Sequence, residues 1–218
     1  MSLGRGFARL MLWIGFDSRV HGADLVPRLG PVILASNHVG YVDGPLLFGV
    51  APRRVHALVK RSMFVGRLGR VLVKVGQIPV DRRCVDPKAI KTCLRVIADG
   101  GVVAVYPEGI RGLGDVSRTR GGAAYLALVT GAPVVPVACL GTRESGALTN
   151  TMPRRGARLD TVFGTPMRFD PAPWPRTKQR VAAVQAEIQE ALAAHVRAAC
   201  EMTGQALPAL PPMSQVTR

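Results

Sequence analysis

Three short apolar runs, each entered through glycine or proline or left through polar residues, narrow the folds open to this chain. They are Pro31-Val-Ile-Leu-Ala-Ser-Asn37, Gly100-Gly-Val-Val-Ala-Val-Tyr106 and Val134-Val-Pro-Val-Ala138. Apolar runs of this length and punctuation read as buried strands. Gly76-Gln-Ile-Pro-Val-Asp-Arg82 reads as a shorter strand, and Arg158 to Phe163 as an edge strand. Helical signatures lie between them. Asp86 is a good N-cap before Pro87, and apolar Ala89, Ile90, Cys93, Leu94 and Ile97 follow before a stop at Gly100-Gly101. Gly121 to Thr130 reads as a helix closed by Gly131. Thr177 to Met202 carries Val181, Val184, Ile188, Leu192 and Val196 along one helical face. Strands alternating with helices predict an α/β fold: a single-domain sandwich whose largely parallel, mixed sheet is flanked by helices. At 218 residues the chain can bury a sizeable core.

The exits of the strands carry the chemistry. His38 and Asp43 follow the first run. Histidine titrates near ~6.5 when unperturbed, so it takes a proton readily at neutral pH. A carboxylate on the other ring nitrogen fixes the tautomer and stabilises the imidazolium. Alone, such a pair is more often a loop histidine making a structural hydrogen bond than a catalytic one. The second run ends in Pro107-Glu108-Gly109-Ile110-Arg111-Gly112, which forces a turn. If the strands are parallel, Glu108 and Arg111 leave the same sheet edge as His38. Arginine suits bidentate capture of phosphate or carboxylate, although a surface Glu–Arg pair would look the same. Arg82 leaves the Gly76–Arg82 strand. Three strand ends that deliver polar groups point to one crevice at the carboxyl edge of the sheet.

The net charge is +15, and the excess is concentrated. Arg53, Arg54, Lys60, Arg61, Arg67, Arg70, Lys74, Arg82 and Arg83 face a single acid, Asp81, over thirty-one residues. Such a face attracts anionic lipid, nucleic acid or an acidic protein, and part of it also fits an arginine-rich composition. Only Phe64 is available there for base stacking, and no nucleic-acid-binding motif accompanies it, so no nucleic-acid partner is expected. Residues Leu3 to Phe16, with Arg5 and Arg9 beside Phe7, Leu10, Trp13 and Ile14, read either as an interfacial helix or as a helix packed on the core. The apolar part is too short to span a bilayer, and no signal-peptide cleavage pattern follows it. Cys84, Cys93, Cys139 and Cys200 show no paired spacing, as expected of thiols in a reducing compartment. His21, His56 and His195 give no metal-site spacing. No Gly-x-Ser-x-Gly elbow surrounds any serine, which weighs against an acyl-enzyme hydrolase.

Asn37-His38-Val-Gly-Tyr-Val-Asp43, Gly76-Gln-Ile-Pro-Val-Asp81-Arg82, Tyr106-Pro-Glu108-Gly109-Ile-Arg111 and Val134-Val-Pro136-Val137 stand in the order of four family blocks. From about Val20 to Arg168 the chain resembles the glycerolipid acyltransferases of the PlsC type, the 1-acylglycerol-3-phosphate acyltransferases. The resemblance implies acyl transfer from acyl-CoA or an acyl carrier protein thioester to the hydroxyl of a lysophospholipid acceptor, giving phosphatidate, with no cofactor and no metal. It assigns His38 and Asp43 to catalysis, and Arg82, Glu108, Gly109 and Arg111 to the acceptor phosphate. Pro136 is assigned to the acyl-donor side. Glu108 is expected to orient Arg111 or to bond a glycerol hydroxyl, because a carboxylate repels phosphate.

Two departures from the family pattern leave the acceptor open. Gly40 replaces a small polar residue, and Ile110 and Gly112 replace hydroxyl residues, so another lysolipid, an ornithine lipid or a glycolipid remains an alternative acceptor. A non-catalytic basic protein that binds membrane or nucleic acid is the alternative of another class. The expected organisation is a membrane-associating segment over 1–19, the acyltransferase domain over 20–203 and a flexible tail over 204–218. The expected location is peripheral, against an anionic membrane surface on its cytoplasmic face.

Overall fold

Burial on both faces is what makes the apolar runs continuous rather than alternating. The computed structural model describes residue 6 and residues 14–210. Its strands are β1 (Asp17–His21), β2 (Val32–Ser36), β3 (Val55–Lys60), β4 (Ile78–Val80), β5 (Val102–Val105), β6 (Val134–Leu140) and β7 (Arg158–Phe163). They form one sheet in the order β1-β7-β6-β2-β5-β3-β4. Strands β2 to β6 are parallel to one another; β7 joins β6 antiparallel, and β1 joins β7 in parallel. Every residue of β2, β5 and β6 is buried.

The helices are α1 (Asp43–Val50), α2 (Gly66–Lys74), α3 (Pro87–Ala98), α4 (Gly122–Thr130) and α5 (Lys178–Thr203). Asp86 caps α3 as its sequence reads, its side chain accepting from the Lys88 and Ala89 amides. Gly131, at φ 65°, closes α4 in the left-handed region where glycine is the favoured residue. On one face of the sheet, Ala89, Cys93 and Ile97 of α3 and Val184, Ile188, Leu192 and Val196 of α5 pack on Ile33, Val103 and Val134. On the other, Leu46 and Leu47 of α1 cover Leu34, Ala104 and Val135. Each Val, Leu or Ile among them contributes roughly 1.5–3 kcal/mol when fully buried. The molecule is a single α/β domain with a mostly parallel sheet.

One reading changes. Arg158–Phe163 is interior rather than an edge, because β1 pairs along its outer side. That edge belongs to Asp17–His21, whose polar, half-exposed residues hide the strand from an apolar search. The tail is bonded to the body over 205–209: Gln205 donates to Asp160, and the Ala209 amide donates to Ser145 Oγ. The expected N-terminal helix lies, apart from residues 6 and 14–16, outside the described residues. No helix among the described residues is long and apolar enough to cross a membrane.

Candidate active site

The sheet register brings the site together. Ala35 of β2 lies opposite Val105 of β5, so His38 and Glu108 stand three residues past matched positions. The His38 amide donates to Glu108 Oε1 at 2.8 Å, and the Gly112 amide donates to the His38 carbonyl at 2.8 Å. On the other side of β2, the buried Asn37 accepts from the Cys139 amide and donates to the Cys139 carbonyl. The loops after β2 and β5 are thereby fixed to each other and to strand β6.

His38 Nδ1 lies 2.7 Å from Asp43 Oδ2. Asp43 opens α1 and is 0% exposed. Its Oδ2 also accepts from the Val39 and Gly40 amides, at 2.8 and 3.0 Å, and its Oδ1 accepts from Thr142 Oγ. Four donors therefore surround one carboxylate, and with Nδ1 as the donor the imidazole presents its lone pair at Nε2. His38 is 8% exposed, and its Nε2, which has no partner among the described residues, opens to solvent. The Tyr106 ring stacks on the imidazole at 4.3 Å. Burial keeps the Tyr106 phenol well above its ordinary value, hence protonated, and its hydroxyl has no hydrogen-bond partner among the described residues.

Gly40 has a steric reason. A Cβ there would sit 2.3 Å from the Thr142 carbonyl oxygen, so glycine lets the loop reach the segment after β6 that supplies Thr142.

Arg82 lies within electrostatic reach of Arg111 and Arg120. Burial, followed by the charges of Arg111 and Arg120, holds the Arg82 guanidinium below its ordinary value. Arg120 donates to the Arg82 carbonyl at 2.6 Å, and its side chain crosses Gly109, which takes φ 73°. Arg111 lies over the Tyr41 ring at 5.4 Å. None of the three arginines has an ion-pair partner among the described residues. An uncompensated cluster of this kind suits a dianion.

Glu108 does not pair with Arg111; its carboxylate anchors the backbone of the catalytic candidate instead. Burial pushes its carboxyl up to about 7, against the His38 amide bond, and Asp115 and Asp43 add to the rise. A groove of about 440 Å³ opens beside it, walled by Ile110, Gly112, Asp115, Arg118 and Arg120. The His38 ring is not part of that wall; Glu108 joins the two features. Pro136 is not brought to this edge. It is buried within β6, and its ring and that of His195 both lie against Gly164. Among the described residues, no His, Cys, Asp and Glu side chains gather as a metal site would.

Tyr106, Arg120 and Thr142 are the site residues that motif reading left without roles. Tyr106 and Arg120 flank the Glu108 turn and could have been found by asking what surrounds it. Thr142 lies 99 residues from Asp43, and nothing local announces their contact.

The model of the Acyltransferase family matches residues 17–140. The 1-acyl-sn-glycerol-3-phosphate acyltransferase of Bacillus subtilis is 30% identical over 169 residues, 76% of this chain and 81% of that protein. A protein of the same name from Borreliella burgdorferi is 30% identical over 148 residues, covering 64% of this chain and 58% of its own. The crystal structure of the lysophosphatidate acyltransferase PlsC from Thermotoga maritima superimposes with a TM-score of 0.65 at 19% identity, covering 87% of this chain and 76% of that one.

Proposed function

Because the chain belongs to the acyltransferase family, we propose that it transfers an acyl group from an acyl thioester to the free hydroxyl of 1-acylglycerol-3-phosphate, forming phosphatidate. The donor is acyl-CoA or an acyl carrier protein thioester. One observation carries the reading: the His38–Asp43 pair, with Nε2 open, shares a sheet edge with three arginines that have no ion-pair partner among the described residues.

His38 Nε2 removes the acceptor hydroxyl proton as that oxygen attacks the thioester carbonyl carbon. The new C–O bond forms, the C–S bond breaks, and the proton on Nε2 returns to the departing thiolate. A thiolate leaves readily, so base catalysis and positioning supply most of what the reaction needs. Asp43 holds the ring through Nδ1 and stabilises the imidazolium. Arg82, Arg111 and Arg120 receive the acceptor phosphate, with Gly109 giving Arg120 room to cross. A carboxyl near 7 is substantially protonated at neutral pH, which lessens the repulsion between Glu108 and that phosphate.

The test is release of free thiol from acyl-CoA, and separately from acyl carrier protein, on addition of lysophosphatidate. General-base catalysis contributes about 10²–10⁴-fold, so His38→Ala should lose at least two orders of magnitude in kcat while its melting temperature holds. Near-normal turnover in that variant would sink the mechanism. Equal rates with a lysolipid lacking the phosphate monoester would sink the acceptor assignment.

A further inference from the structure

Helix α2 spans nine residues, and Gly69 alone among them is buried. Leu68, Val71, Leu72 and Val75 recur at the spacing of one helical face, the spacing that α5 uses to pack on the sheet. The outer edge of that stripe is open: Leu68 is 46% and Val71 54% exposed, while Leu72 and Val75 are half-buried; Val65 at the entrance is 68% exposed, and Val73, on the other flank, is 67% exposed. Arg67, Arg70 and Lys74 form the neighbouring stripe. The helix carries no acid, and none of its three cations has an ion-pair partner among the described residues. The helix follows the carboxyl end of β3, on the sheet edge that carries His38 and Glu108.

We propose that α2 is a lipid-docking element: its Leu68–Val71 stripe enters the head-group boundary of an anionic bilayer, and Arg67, Arg70 and Lys74 meet the lipid phosphates. Charge complementarity selects an anionic partner, since the surrounding stretch from Arg53 to Arg83 holds a single acid. The apolar component selects a bilayer over an acidic protein. Protein-binding hot spots favour Trp, Tyr and Arg; residues 65–75 supply Arg67 and Arg70 but no aromatic anchor, and their apolar side chains are all aliphatic, as an interfacial helix requires. Docking along α2 holds the sheet edge with His38 beside the surface from which a lysolipid and a long acyl chain would arrive. The surface adds to the proposed reaction and does not depend on it.

Sedimentation of the full chain with phosphatidylcholine vesicles, with and without phosphatidylglycerol, tests this. The chain should bind the anionic vesicles with strong salt dependence. Leu68→Ser/Val71→Ser should weaken that binding by about tenfold or more. Arg67→Gln/Arg70→Gln/Lys74→Gln should weaken it roughly a hundredfold at low salt. Turnover of a soluble short-chain thioester and acceptor should stay within about twofold in both, which checks the fold. Wild-type vesicle affinity in either variant overturns the proposal. So does normal vesicle binding with lost affinity for acyl carrier protein, which would make α2 a protein-docking surface.

A second measurement does not rely on weakened binding. A polarity-sensitive label at Val71→Cys, in a Cys84→Ser/Cys200→Ser background, should shift to the blue when anionic vesicles are added. The same label at Val73→Cys, on the opposite flank, should shift far less. Equal shifts overturn the proposal, as does a Val71 label already blue-shifted without lipid, which would mean that the chain itself covers the stripe.

Discussion

Among the described residues Thr142 is one of four donors on Asp43 and the only one on Oδ1, and it comes from the segment after β6. Valine has nearly the same shape without the donor. Thr142→Val should leave a buried carboxylate oxygen unpaired and lower stability by about 1–3 kcal/mol. Because Asp43 orients the ring, kcat should fall by roughly tenfold with little change in KM. Thr142→Ser, which keeps the hydroxyl, should recover most of the rate. A purely structural role would lower stability without this split, so steady-state kinetics beside thermal melts decide the matter. The same contact explains Gly40, since any side chain there would drive the loop away from Thr142.

At the scale of an element, α3 is started by a residue that also shapes the site. Asp86 Oδ1 accepts from the Lys88 and Ala89 amides, while Oδ2 accepts from the Asp81 amide at 2.9 Å and from Arg61 at 2.6 Å. The cap and the 81–86 loop that carries Arg82 are therefore one unit. Asp86→Ala should cost about 0.5–2 kcal/mol through the lost cap. It should also raise KM for the phosphate-bearing acceptor more than it lowers kcat. The Asp81 amide bond, then the Ala89 amide and Arg61, hold the Asp86 carboxyl at about 2 against its burial. A depressed carboxyl contributes stability above its unfolded value of ~3.9 and loses it as pH falls toward the folded one. The difference in melting temperature between wild type and Asp86→Ala should accordingly be full at pH 6 and shrink between pH 4 and pH 2.

For the whole molecule, closure of the sheet depends on residues at opposite ends of the chain. Asp160 of β7 is fully buried and bonds to His21 of β1, to Arg158 and to Gln205 beyond α5. Burial alone would raise its carboxyl; the bonds from His21, Gln205 and Arg158 outweigh it and hold the group below its ordinary value. A chain ending at Gly204 loses the Gln205 bond, the Leu207 contact with the core and the Ala209–Ser145 bond. It should be less stable by about 2 kcal/mol, a fall of roughly 4–8 °C in melting temperature. Calorimetry of the two lengths measures this directly, and an unchanged melting temperature would show that the tail contributes nothing.

The central strands, the capped helix α3 and the polar exits at His38, Arg82 and Glu108 are all local patterns, legible because two-sided burial, capping and turn chemistry each act over a few residues. What those patterns left open depends on distance across the sheet. The inner place of β7 follows from a polar edge strand that pairs on its outside. The partner of Glu108 follows from the β2–β5 register, the Thr142–Asp43 bond from the proximity of β2 and β6, and the burial of Pro136 from α5 folding back. Long-range pairing selects among contacts that local chemistry permits equally, so those outcomes belong to the folded chain.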